Sequence, residues 1–318
     1  MIDPDRMKER IRATPQLKEA TKRSYLSKIK VIEEEIWSSK PLKHVLYHPE
    51  EFKDRLYEWG KREEVGQHTI NSYYGAAIAL FLHDQDAQTS HHELFKRWER
   101  TQKEIREPID AHYQTNEPTP RQRDAYVPYE ELKGIMGRLP RGSPERVLLS
   151  MYLLIPAVRS DYAVTPIYAT PSAVPATADA ERENYVVLGR SPKVVIQSHK
   201  TEGRYERIVI PMPPELTAEI KASLEVQPRS HLFVSQRTGE SYGKTKSPEN
   251  AFNKWANKTL SRVVKPGFTL TMFRHAWLSR DDIGLCKTRE SALANLARQM
   301  GHSTSQQKRY QFLGGGGT

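Results

Sequence analysis

From Glu107 to Pro128 the chain carries four prolines, Pro108, Pro118, Pro120 and Pro128, among mostly polar residues. Proline fixes its own φ, lacks a backbone N–H and disfavours helix in the residue before it. A stretch of this kind predicts a break between two folded units. The 318 residues are enough for two ordinary domains. The expected layout is a first domain over 1–112, a linker over 113–126 and a second domain over 127–318.

The first part reads as helical throughout. Thr21 to Ile36 places Tyr25, Ile29, Ile32 and Ile36 at helical spacing. Pro49 to Trp59 puts Phe52, Leu56 and Trp59 on one side, Thr69 to His83 makes a third helix, and His92 to Arg106 a fourth. The second part is mixed. Pro128 to Arg138 and Ser143 to Ile155 read as helices, and Thr165 to Asn184, rich in Ala, Pro and Thr, as an irregular loop. Tyr185 to Leu188, Lys193 to Gln197 and Glu206 to Pro211 are β-rich runs that predict a small antiparallel sheet. Pro214 to Glu225 returns to helix. From Ser247 onward the chain again reads as helical, broken at Lys265-Pro266-Gly267 and near Gly284. The fold class expected is mainly α with one small antiparallel sheet. The Gly314 to Gly317 run reads as a flexible tail or an added, non-native one.

Composition narrows the class of partner. Lys and Arg number 49 against 39 Asp and Glu, a net charge of +10, which favours a polyanionic partner. No apolar run approaches the roughly 20 residues that cross a bilayer. The charged N-terminus does not resemble a secretory signal, so the chain is expected inside the cell. The single cysteine, Cys286, has no internal disulfide partner, and no Cys/His cluster has zinc-like spacing.

Four polar clusters stand out in the second part: Arg159 in LLIPAVRSDYAV, Lys200 in VVIQSHKTEGRYERIVIP, Arg274 in TLTMFRHAWLSR, and His302 with Tyr310 in QMGHSTSQQKRYQF. Each alone has a plain reading. The arginines suit salt bridges, the lysine a solvated turn, the tyrosine an anchor for a last helix, and Gly-His-Ser a helix start capped by Ser303 or Thr304.

Their order changes the weighing. Arginine, hairpin lysine, a second arginine, then Gly-His shortly before tyrosine resembles the pattern of the tyrosine recombinase (integrase) family, over about 125–313. LARQMGHSTSQQKRYQF is the most specific piece. RSDYAV and MFRHAW look like variants found in recombinases of large DNA viruses, virophages and eukaryotic mobile elements. The first part, notably HTINSYYGAAIALFLH, is similar in kind to the family's helical core-binding domain. The resemblance implies a core-binding domain followed by an α+β catalytic domain. It also implies a site-specific DNA recombinase or integrase that cuts and rejoins DNA through a covalent 3′-phosphotyrosine, without metal, ATP or other cofactor. Its place would be with DNA, in a prokaryotic cytoplasm or in the nucleus or viral factory of a eukaryotic host.

The implied roles match what phosphoryl transfer asks of side chains. Negative charge grows on the phosphate oxygens as a nucleophile adds, and Arg159 and Arg274 suit bidentate, charge-assisted hydrogen bonds to them. His302 suits hydrogen bonding to the same phosphate or a proton relay. Lys200 suits protonation of the leaving 5′-oxygen, and Tyr310 suits attack on phosphorus. One position departs from the family. Three residues before the second arginine many members carry histidine, and here stands Thr271, which donates one hydrogen bond but is no base near neutral pH. A slower reaction is expected. His275 is the other auxiliary candidate, although on a helix it projects about 100° from Arg274.

Lys22, Arg23, Lys28 and Lys30, with Lys244, Lys246, Lys254 and Lys258, are candidate phosphate contacts for double-stranded DNA held between two domains. Tyr73 and Tyr74 read as core. Strand exchange implies a homotetramer on DNA. Only QFLGGGGT follows Tyr310, so either another element links the protomers or the native chain continues. The alternatives are a type IB topoisomerase-like enzyme and a non-catalytic DNA-binding protein of the same fold, the latter favoured by Thr271.

Overall fold

A computed structural model describes residues 2–115, 117–199, 207–280, 296–297 and 299–300. It divides into two compact units, Met1–Thr115 and Asn116–Thr318.

The first unit is helical: α1 (Pro4–Ala13), α2 (Glu19–Val31), α3 (Leu42–Tyr47), α4 (Pro49–Arg62), α5 (Gln67–Leu82), α6 (Gln85–Ser90) and α7 (His92–Thr115). A π-helical turn, Ile32–Ile36, continues α2. The central element is α5. Its segment Ala76–Phe81 is buried on every side, as a helix must be when it is apolar all round. Phe52, Tyr74 and Trp98 meet beside it. Their ring centroids lie 4.7–5.8 Å apart, and the Trp98 indole donates to the Leu46 carbonyl at 2.9 Å. Tyr74 is therefore core, and Tyr73 packs edge-on against Trp59 at 4.9 Å.

The proline rule fails at Pro108, because α7 runs through it to Thr115. Pro108 forfeits the bond to the Glu104 carbonyl, at a cost of about 3 kcal/mol. Trp98, Thr101, Ile105 and Ile109 form one buried stripe that spans the proline. Burying a large apolar side chain contributes about 1.5–3 kcal/mol, so this stripe outweighs the lost bond.

The second unit contains α8 (Pro120–Ala125), α9 (Tyr129–Arg138), α10 (Pro144–Leu153), β1 (Ile167–Tyr168), α11 (Thr177–Ala180), β2 (Tyr185–Val187), β3 (Lys193–Ile196), β4 (Ile208–Pro211), α12 (Pro214–Val226), α13 (Pro248–Val263) and α14 (Leu270–Leu278). Helix α8 occupies the stretch expected as linker. A reciprocal cap between Thr119 and Gln122, with Pro120 in the first turn, starts it. Between α9 and α10 the chain turns at Gly142, with φ +80, where a Cβ would stand 2.9 Å from the Ala222 carbonyl oxygen.

The sheet order is β1-β2-β3-β4. Strands β2, β3 and β4 are antiparallel as expected, but β1 runs parallel to β2, so the sheet is mixed. Composition predicts an irregular loop over 165–184. Part of it is β1, and the rest is the long crossover that a parallel neighbour requires. That crossover also covers the second face of the sheet. Alternation sends Val186, Val194, Ile196, Ile208 and Ile210 into the main core. Tyr185, Val187 and Val195 point the other way and pack with Ala178, Tyr168 and Val174. The main core joins that first face to α10, whose Val147–Leu153 segment is buried throughout.

Candidate active site

Two chain segments bring the predicted arginines to one place. Arg159 lies in the loop after α10. The Tyr152 hydroxyl donates to its carbonyl, and its own N–H donates to Asp161 Oδ2 at 3.1 Å. Arg274 lies on α14, where Met272 to Leu278 are all buried. Its guanidinium is carried into the core of the unit and the residue is only 1% exposed.

Asp161 connects them electrostatically. Burial pushes its carboxyl above the ordinary range. The Arg159 N–H hydrogen bond and the nearby His199, Arg274 and Arg159 side chains pull it back only in part. Arg274 also acts on Tyr152, whose phenol burial pushes well above its ordinary value. Tyr152 in turn stacks on Phe273 at 5.2 Å and meets Tyr162 edge-on at 5.4 Å. Aromatic rings thus pack beside Arg274 and, through the Tyr152 hydroxyl, beside the Arg159 backbone. Low dielectric strengthens the hold of such a cluster on an anion.

Asp161 and His199 escaped the sequence reading. The available signals were slight: an acid two residues after Arg159, and a histidine directly before Lys200. His199 is buried at the end of β3. Thr271 is exposed in the first turn of α14. His275 is buried, and its Nε2 stands 3.4 Å from the side-chain nitrogen of Gln122 on α8. Lys200, His302 and Tyr310 lie outside the described residues, as do Cys286, Gly284 and the Gly314 to Gly317 run.

The candidate DNA contacts divide into two sorts. Lys22 is only 12% exposed and pairs with Glu19 at 2.8 Å, and Lys28 donates to Ser24 at 2.6 Å. Lys30 and Lys244 sit in exposed pairs one helical turn long, with Glu34 and Glu240, which exchange readily for other anions. Arg23 and Lys246 are exposed. Lys254 and Lys258 are exposed and four residues apart on α13, so they share one face. Among the described residues no group of three or more His, Cys, Asp or Glu is arranged to hold a metal ion, and no helix is long and apolar enough to cross a membrane.

The raised Asp161 carboxyl makes stability depend on pH with a definite sign. Its unfolded value is about 3.8 and its folded value is higher. Folding therefore favours the neutral acid. That contribution is complete below pH 3.8 and is lost as pH rises through the folded value. Asp161→Asn keeps a neutral group at all pH. Its unfolding free energy, measured by chemical denaturation, is expected to gain on the wild type as pH climbs from 4 toward 7. A difference constant with pH would refute this account.

No protein-family model matches the chain, and no curated protein matches it. Solved structures do. The Tn1549 transposon integrase, residues 82–397 in complex with circular-intermediate DNA, aligns over 98% of this chain and 95% of that chain, with TM-score 0.56 and 15% identity. XerA recombinase aligns over the same shares with TM-score 0.40 and 12% identity. The chain has the fold of the Tn1549 integrase.

Proposed function

We propose, with that shared fold as premise, that this chain is a site-specific DNA recombinase or integrase of the tyrosine type. One observation carries the reading: Arg159 and Arg274, 115 positions apart by their numbers in the chain, converge on Asp161 within a fold shared with a DNA-bound integrase. Two guanidiniums on one site suit a phosphodiester, whose oxygens gather charge in the transition state. In the proposed step Tyr310 Oη bonds to phosphorus and gives up its proton to water. The bond from phosphorus to the 5′-oxygen breaks, and that oxygen leaves with a proton, for which Lys200 is the proposed donor. His302 assists at the same phosphate. The phosphotyrosine keeps the energy of the broken bond, so a 5′-hydroxyl from a second strand reverses the reaction. The proposal extends to a tetramer on DNA, since exchange joins two duplexes, and to 1–112 and 127–318 as core-binding and catalytic domains.

The test is a suicide DNA substrate, nicked so that the short fragment bearing the freed 5′-hydroxyl diffuses away, offered as a pool of sequences. A protein–DNA adduct that survives denaturation, mapped to Tyr310, is expected. DNA binding without any adduct would favour a non-catalytic binding protein. Relaxation of supercoils without sequence preference would favour a topoisomerase-like enzyme.

Lys254 and Lys258 give a separate check on the DNA surface. Each phosphate contact releases counterions, so the slope of log affinity against log salt should fall by about one for each lysine replaced by alanine. Binding titrations from low to moderate salt read it directly. An unchanged slope in the double variant would remove α13 from the DNA-facing surface.

A further inference from the structure

Asn184 stands just before β2 and is 7% exposed. Its amide is fully used. Nδ2 donates to the Asp161 carbonyl at 2.8 Å and to the Ser198 carbonyl at 2.9 Å. Oδ1 accepts from the backbone N–H groups of Gln197 and Ser198, both at 2.8 Å. One side chain thus holds the turn that carries Arg159 and Asp161, and also the end of β3. Asparagine is the residue this demands. It offers two donors and two acceptors at fixed positions, whereas aspartate has no donor for the two carbonyls.

We infer that Asn184 is a positioning residue that fastens the Arg159–Asp161 turn to the end of β3 and so fixes where the Arg159 guanidinium meets the scissile phosphate. Arg159 itself is held in that turn at both backbone ends, by Tyr152 on its carbonyl and by Asp161 on its N–H. Tyr152 ties the Arg159 carbonyl to α10, Thr165 Oγ1 also reaches the Asp161 carbonyl at 3.5 Å, and the Asn184 amide supplies the tie from the Asp161 carbonyl to the segment that follows β3. Without it the turn can shift against the sheet. Displacements of about 1 Å can cost as much as 100-fold in such chemistry. This role rests on the proposed reading of the chain as a phosphodiester-cleaving enzyme.

The test separates placement of a charge from support of the fold. A methylphosphonate at the scissile position replaces one charged oxygen with a methyl group, so the phosphate no longer needs a well-placed cation. The full chain is assayed on matched suicide substrates that differ only there. Asn184→Ala is expected to slow adduct formation on the phosphodiester by about tenfold or more, and on the methylphosphonate by less than about twofold. Asn184→Asp keeps the shape and the two acceptors but sets a carboxylate oxygen against the two carbonyls, and is expected to show the same selectivity. Arg159→Ala, the reference for a missing cation, should show it more strongly. Equal losses on both substrates for both Asn184 variants would overturn the positioning role, as would selectivity absent from Arg159→Ala in a wild type that forms the adduct. A wild type that forms no adduct on either substrate would overturn the parent reading and this role with it.

Discussion

Tyr310→Phe is expected to form no covalent adduct with any suicide substrate, while still binding the same DNA. The change removes one oxygen and nothing else. Without that oxygen the side chain cannot bond to phosphorus, so the loss is all-or-none rather than graded. Phenylalanine keeps the aromatic ring, and the phosphate contacts that dominate affinity are untouched. Denaturing electrophoresis reads the adduct, and a mobility-shift titration reads the binding. The wild type should show both signals and the variant only the second. An adduct that persists in the variant would move the nucleophile to another side chain. This outcome concerns a residue outside the described part of the structure, so it tests chemistry that the sequence pattern alone suggested.

Arg274→Ala should lower the rate of adduct formation by about 10²–10³, the usual loss when one preorganised donor to a developing oxyanion is removed. Burial is the reason for so large an effect. Arg274 is 1% exposed on a helix that is buried from Met272 to Leu278. Its guanidinium has already lost its water, and the charge acts through a weakly screening medium. Arg274→Lys should recover little. An ammonium keeps the charge but not the planar fork that binds two oxygens. Overall DNA affinity should change only a few-fold, because phosphate contacts elsewhere carry it. Single-turnover kinetics at saturating DNA separate the two effects. A variant that cleaves at the wild-type rate would exclude Arg274 from the site. Asp161→Asn forms a useful companion, since it changes the neighbour of both arginines while leaving them in place.

Local pattern determined most of the secondary structure. The apolar spacing of α4, α5 and α13, and the β-rich runs at β2 and β3, are visible along the chain because side-chain periodicity is a local property. Local pattern also singled out Arg159 and Arg274, through a resemblance in order and context. It could not show that Pro108 lies inside a helix. That was decided by the stripe from Trp98 to Ile109, whose burial exists only once the first unit has packed. Nor could it show that 165–184 supplies a parallel strand and a cover for the sheet, since strand partners are chosen by tertiary contact.

The division is sharpest around the arginines. Composition and local pattern alone mark a basic, two-part, mainly helical chain with four separated polar clusters in a suggestive order. Only the tertiary structure decided that Asp161, His199 and Tyr152 belong with Arg159 and Arg274, and that Asn184 ties the arginine turn to β3. The physical reason is that charge interaction and hydrogen bonding depend on distance in space. Residues such as Asn184 have no periodicity or motif to mark them. Their role comes from which backbone groups the fold leaves within about 3 Å of an amide.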